Sequence, residues 1–136
     1  MATLHAKNAA RGVYLAVAFL SRRIYAMTST DPLIIITEPL QGPTTVAIEG
    51  VLDCQGSAEA RKCLDDLIAK GCLDIIVDLQ GVTGIDSLGI GVFLSAWWQI
   101  RNGGGNLVLW RPQGAVRRGL EMLGVADVIE VRGDLE

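Results

Sequence analysis

The sequence predicts an α/β domain, a mixed β-sheet of four to five strands with α-helices packed on it, and two observations carry that prediction. From residue 31 onward, short β-branched runs alternate with helix-period segments in the order ββαβαβαβ. After the first pair, the segments joining successive strands run to a dozen residues or more, the length a parallel crossover requires. A third observation sets the domain's limits. Residues 1–30 hold Lys7, Arg11, Arg22 and Arg23 and no acid, a balance of +4, whereas residues 31–136 hold 8 basic and 15 acidic side chains, a balance of −7. The chain therefore reads as a basic, partly apolar extension, residues 1–30, and one domain, residues 31–136.

The elements run in order along the chain. Leu33 to Thr37 is short and β-branched, the signature of a strand. Pro39 and Gln41-Gly42-Pro43 make a turn, and Thr44 to Glu49 is its partner strand. A helix comes next, with Ser57, Glu59 and Ala60 near its start. Its apolar positions Ala58, Cys63, Leu64, Leu67 and Ile68 recur at threes and fours, and Gly71 closes it in the left-handed conformation. Leu73 to Leu79 is an apolar run broken only by Asp74 and Asp78, as suits a central strand covered on both faces. A loop over residues 80–86 leads to a helix from Ser87 to about Asn102, ended by Gly103-Gly104-Gly105. Asn106 to Trp110 is a strand, Pro112 to Leu123 a helix with proline near its first turn, and Val128 to Val131 a last short strand. No internal repeat is evident.

Composition excludes several functions. The chain has 136 residues, 50% of them apolar, and a formal charge of −3. Its mean hydropathy is +0.37, yet no apolar run approaches the ~18 residues of a membrane span. A pI near 5.1 and 5% aromatics argue against nucleic-acid binding, which favours a clustered basic face and stacking rings. Cys54, Cys63 and Cys72 are odd in number, nine apart and without a CxxC pair, which indicates neither disulfides nor zinc but a reducing compartment. The one histidine, His5, lies in the extension, so the domain has no imidazole for a metal site or a Ser-His-Asp triad. Within the extension, Gly12 to Leu20 is a nine-residue apolar run behind Lys7 and Arg11, like a secretory leader, but Ser21-Arg22-Arg23 makes a poor cleavage region. An Arg-rich presequence, a disordered appendage, and translation from Met27 all remain compatible with this composition.

The stretch from Gly81 to Gly91 carries the candidate chemistry. A P-loop needs a lysine, and none follows Lys70. A dinucleotide loop needs a third glycine where Leu94 stands, and a nucleophile elbow needs a glycine where Ile85 stands. What remains is Asp86-Ser87 at the start of a helix. Either residue can serve as an N-cap, a role that stabilises by ~1 kcal/mol. The alternative is a modifiable hydroxyl at Ser87, where a phosphate of about −2 charge would meet the helix dipole and unpaired first-turn N–H groups, and add to the acidity of Asp86 and Asp53. On a helical wheel the core stripe centres on Trp97 with Ile90, Phe93, Leu94 and Ile100. Leu88, Gly91, Val92 and Trp98 are then expected to form a partner-binding face beside Ser87.

These residues carry a family resemblance. Asp86-Ser87-Leu88-Gly89-Ile90-Gly91, after Val77-Asp78-Leu79-Gln80-Gly81-Val82, resembles the D-S-[ST]-G-[LI]-G signature of bacterial anti-sigma factor antagonists, the STAS domain. Ile48 to Asp53 is similar to that family's G-x-[LI]-D after its second strand, and Gly104 to Leu109, Pro112, Val116-Arg117-Arg118 and Leu123-Gly124-Val125 look like its later strand and third helix. The resemblance runs from about residue 33 to 132. It implies a small cytoplasmic protein that acts by binding, without enzymatic activity, cofactor or metal. The unphosphorylated form of such a protein captures an anti-sigma factor, commonly a serine kinase, and so releases a sigma factor. Phosphorylation of the serine after the aspartate, here Ser87, switches it off, and a serine phosphatase reverses the change. Asp53, Asp86, Leu88, Gly89, Gly91, Val92 and Trp98 are the partner-binding residues this reading selects. Leu88 departs from the family's small hydroxyl residue, and the chain stops at Glu136 where many members add a helix, which would leave a strand or core edge less covered. The alternatives are a non-switching scaffold or accessory subunit of a transporter or stress complex, with Ser87 only a cap, and, less favoured, a hydrolase using Ser87, which lacks a base.

Overall fold

A computed structural model describes residues 15–19, 22–26, 32–39 and 41–133, the first two segments as backbone only. Its elements in order are β1 (Leu15–Phe19), β2 (Arg22–Ala26), β3 (Leu33–Pro39), β4 (Thr44–Leu52), α1 (Cys54–Ala69), β5 (Asp74–Ile85), α2 (Ser87–Asn102), β6 (Asn106–Trp110), α3 (Gly114–Met122), a 3-10 turn (Val125–Asp127) and β7 (Glu130–Arg132). The strands lie side by side in sequence order. β1 through β4 are antiparallel neighbours, and β4 through β7 are parallel ones. The five strands from β3 onward and the three helices make the mixed sheet that the sequence predicts. No strand is expected before residue 33, yet β2 pairs with the free edge of β3 from Arg22 opposite Pro39 to Ala26 opposite Ile35. That edge would otherwise offer a row of unpaired backbone groups.

One core holds the fold. Ile34, Ile48, Ile75, Leu79, Leu107 and Leu109 on the strands and Leu64, Phe93, Ile100 and Leu120 on the helices are each 1% exposed or less and form a single cluster. The strand residues are those of one face of the sheet. The other face, which carries Ile76 and Val108, lies outside that cluster, so among the described residues the core covers β5 on one side only, whereas its apolar run suggests cover on both. Ala58 is exposed, and the buried stripe of α1 runs instead through Ser57, Ala60, Cys63, Leu64 and Leu67. Gly71 takes φ +89° as predicted. Pro112 lies directly before Gln113, which caps α3, and so stands near the first helical turn.

The main departure concerns residues 80–85. They are not a loop: they extend β5, pairing in parallel with Glu49 to Leu52 across two register shifts. Glycine signals read as a turn here have another cause. A Cβ on Gly81 would stand 2.7 Å from Glu49 Cγ, so glycine is needed where the two bulged strands approach closely. By running on to Ile85, β5 ends level with the end of β4, and the two helices that leave these strands start side by side.

Candidate functional site

Two helix starts meet at that level. Leu52 pairs with Ile85, and the Asp86 amide donates to the Leu52 carbonyl at 3.2 Å, so the corner leaving β4 is tied to the corner leaving β5. Each corner has the same construction. Asp53 caps α1, its Oδ1 accepting from the Gly56 amide at 3.0 Å. Asp86 caps α2, its Oδ1 accepting from the Leu88 amide at 3.0 Å and the Gly89 amide at 3.1 Å. Leu52-Asp53-Cys54-Gln55-Gly56 and Ile85-Asp86-Ser87-Leu88-Gly89 are thus two copies of one strand-exit motif, with Cys54 and Ser87 in equivalent first helical positions. This short repeat is visible in the sequence as Asp-x-x-Gly after each apolar strand end, although the intervening helix separates the copies by 33 residues.

The geometry decides which residue is the cap. Asp86 holds the first-turn amides, and Ser87 is exposed with no hydrogen-bond partner for its hydroxyl among the described residues. It also changes where a phosphate on Ser87 would find itself. The Leu88 and Gly89 amides already serve Asp86, and the Ile90 amide donates to the Asp86 carbonyl. A phosphate would therefore add charge beside a carboxylate, with the Leu88, Gly89 and Ile90 amides already engaged.

The surface around Ser87 is apolar and acidic together. Asp53 and Asp86 are exposed. Leu88 is 52% exposed and Val51, which packs beside Gly84, is 39% exposed. Val51 follows the alternation of β4, in which Val46, Ile48 and Leu52 are buried and the odd-numbered positions are not, so its exposure could have been found from that period. Further along α2, Ser87, Gly91, Leu94 and Trp98 fall on one row at helical spacing, with Trp98 63% exposed and about 16 Å from Ser87 at 1.5 Å per residue. A Cβ on Gly91 would meet nothing within 4 Å, so the row has a notch between Leu88 and Trp98.

Two of the predicted partner-binding residues do not reach this surface. Val92 is buried, because it lies two helical turns before Gln99, whose amide faces Asp65 of α1 at 3.4 Å; that side of α2 packs on its neighbour helix. Gly89 is also buried. A Cβ there would come within 2.8 Å of Ile85 Cγ1 and 3.1 Å of the Leu52 carbonyl, so this glycine lets α2 sit close on the strand ends. Accordingly the core stripe of α2 runs through Ile90, Phe93, Ala96 and Ile100, and Trp97 is only half-buried, with Arg101 over its ring. No group of three or more potential metal ligands occurs among the described residues, and no described helix is long and apolar enough to cross a membrane.

The chain is similar to known proteins. The family model of the STAS domain matches residues 35–136. The anti-sigma-B factor antagonist of Bacillus subtilis strain 168 is 29% identical over 91 residues, covering 67% of this chain and 83% of its own length. That of Listeria monocytogenes is 28% identical over 87 residues, covering 64% of this chain and 76% of its own. Among solved structures, the Bacillus cell fate determinant SpoIIAA in its phosphorylated form is similar in fold, with a TM-score of 0.60 and 18% identity over 74% of this chain and 92% of that one.

Proposed function

The chain belongs to the STAS domain family, and we propose that within it this protein is a cytoplasmic anti-sigma factor antagonist whose binding is switched off by phosphorylation of Ser87. In its unphosphorylated form it captures an anti-sigma factor that is also a serine kinase, and so frees a sigma factor to direct transcription; a serine phosphatase restores it. The observation that carries this reading is the division of labour at the start of α2, where Asp86 does the capping and the exposed Ser87 hydroxyl is left without a bond. The names of the curated relatives support the antagonist role, and the similar fold of SpoIIAA, a protein with a phosphorylated form, is compatible with the switch.

The physics of the switch rests on the neighbours of Ser87. Unmodified, the partner meets Leu88, Val51, the Gly91 notch and Trp98, with Asp53 and Asp86 at the rim. Phosphorylation places about two further negative charges beside Asp86, whose carboxylate already engages the Leu88 and Gly89 amides. A partner that docks flush on this surface must then desolvate the phosphate or withdraw, and leaving one charge buried and unpaired at an interface costs several kcal/mol, on the order of 2–5. No unfolding is needed. Incubation with ATP and a candidate serine kinase, followed by intact-mass measurement, is expected to show one added phosphate on the wild type and none on Ser87→Ala. Phosphate on another residue, or none from any kinase that binds the protein, would favour the non-switching scaffold, a reading to which the large exposed Leu88 lends some support.

A further inference from the structure

Two consecutive residues at the start of α2 can each cap it. Aspartate and serine rank together among N-cap residues, and Asp86 and Ser87 stand side by side. With Asp86 as the cap, the helix begins at Ser87, and the Leu88 and Gly89 amides donate to Asp86 Oδ1 at 3.0 and 3.1 Å. With Ser87 as the cap, the helix would begin one residue later, and the Ser87 hydroxyl oxygen would accept from the Gly89 or Ile90 amide of the shifted first turn. The corner leaving β4 holds no such choice, because Cys54 follows Asp53 and a thiol is a weak acceptor.

Several contacts settle the competition for Asp86. Its backbone is extended, at φ −112° and ψ −174°, and its amide donates to the Leu52 carbonyl at 3.2 Å, which ties it to the end of β4. Its own carbonyl accepts the Ile90 amide at 3.1 Å, one of the two amides that a Ser87 cap would use. Its carboxylate adds what a hydroxyl lacks, a negative charge at the positive end of the helix dipole and a charge-assisted hydrogen bond to each of two amides. Ser87 is therefore left in the first helical position, exposed and with no hydrogen-bond partner for its hydroxyl among the described residues.

We propose that Asp86 is a positioning residue for the phosphorylation of Ser87: by holding the first-turn amides, it keeps the Ser87 hydroxyl out of the capping role and free to react. The inference rests on the reading of Ser87 as the phosphoacceptor. In that reaction Ser87 Oγ forms a bond to the γ-phosphorus of ATP, the bond from that phosphorus to ADP breaks, and the hydroxyl proton passes to a base of the kinase. An oxygen that accepts a helix amide, on a side chain folded back over the helix end, is withdrawn from the attack. Without the Asp86 carboxylate Ser87 becomes the cap, a contact that favours the withdrawn arrangement roughly fivefold.

A double-mutant cycle tests the capping step without a kinase. In the wild type, Ser87→Ala is expected to leave the urea midpoint of unfolding within about 0.2 M, whereas in Asp86→Ala it should lower the midpoint by a further ~0.5 M, because the hydroxyl now caps. Equal shifts in the two backgrounds overturn the proposal. With ATP and a serine kinase that modifies Ser87, Asp86→Ala is expected to lower kcat roughly fivefold with the KM for this protein within about twofold. Asp86→Asn, which keeps an acceptor oxygen at position 86, is expected to recover most of the lost rate. A KM that rises while kcat is unchanged would make Asp86 a docking contact only and overturns the proposal, as does an Asp86→Asn variant no faster than Asp86→Ala. A wild type that takes no phosphate on Ser87 from any kinase that binds it refutes the switch itself, and the unfolding cycle still decides which residue caps.

Discussion

Two glycines two residues apart on α2 are expected to respond to the same substitution with opposite sign. At Gly89 a new Cβ would lie 2.8 Å from Ile85 Cγ1 and 3.1 Å from both Leu52 Cβ and the Leu52 carbonyl. Carbon atoms in contact settle at about 3.5–4.0 Å, so α2 or the strand ends must yield by roughly half an ångström. The Leu52 carbonyl has little room to do so, since it accepts the Asp86 amide. Such overpacking costs about 1–3 kcal/mol, against a gain of up to about 1 kcal/mol for alanine over glycine in a helix. Gly89→Ala is therefore expected to destabilise by about 1–2 kcal/mol. At Gly91 nothing lies within 4 Å, and Gly91→Ala is expected to stabilise by about 0.5–1 kcal/mol. Urea unfolding of the two variants, with m near 1.5 kcal/mol/M, should move the midpoint down by about 1 M for the first and up by about half that for the second. If both shift in the same direction, the assignment of Gly89 to packing and Gly91 to an open notch is wrong. The functional counterpart separates them too. Gly91→Ala fills the notch, so it is expected to weaken partner capture in a protein that is more stable than the wild type.

The same geometry sets three further outcomes. Trp98→Ala is expected to change stability by no more than about 0.5 kcal/mol and to weaken anti-sigma factor capture tenfold or more, the cost of losing an aromatic anchor; a large loss of stability would place the ring in the core. Asp86→Ala and Asp53→Ala each remove a cap and are expected to cost about 1 kcal/mol in unfolding free energy. Burial, with Asp66 nearby, pushes the Cys63 thiol up to about 12 from 9.0, so native protein at pH 8 should react with a disulfide reagent at exposed Cys54 first and at Cys63 only after unfolding. Because the folded-state pKa is the higher one, the contribution of Cys63 to stability is intact below pH 9 and declines between pH 9 and about 12; Cys63→Ala should flatten the stability profile over that window relative to wild type.

Much of the fold is legible from periodicity and punctuation because those signals are local. The alternation of β-branched runs and helical stripes, the positive φ of Gly71, and the run of glycines after Asn102 each act within a few residues. What escapes is decided by pairing between distant segments. Gly81 and Gly84 look like turn residues until Glu49 and Val51 are laid beside them, and Val92 looks like a surface residue until α1 packs against its side of α2. The second face of β5 has the same origin, since an apolar strand reads alike whether or not the core reaches both of its faces. At the site, Asp86, Ser87, Leu88 and Trp98 are readable from the motif and the helical wheel, whereas Val51 belongs to no motif and is marked only by the alternation of β4. The matched corners of β4 and β5 are present in the sequence, but five residues are too few to stand out until Leu52 and Ile85 are seen as neighbours.

One phosphate on Ser87 is proposed to control binding without disturbing the fold. Titration of the anti-sigma factor against unmodified and singly phosphorylated protein, alongside Ser87→Ala, tests this most directly. Unmodified protein and Ser87→Ala should bind with similar affinity, and the phosphorylated form at least tenfold more weakly while unfolding at the same temperature. Equal binding by all three forms would contradict the account.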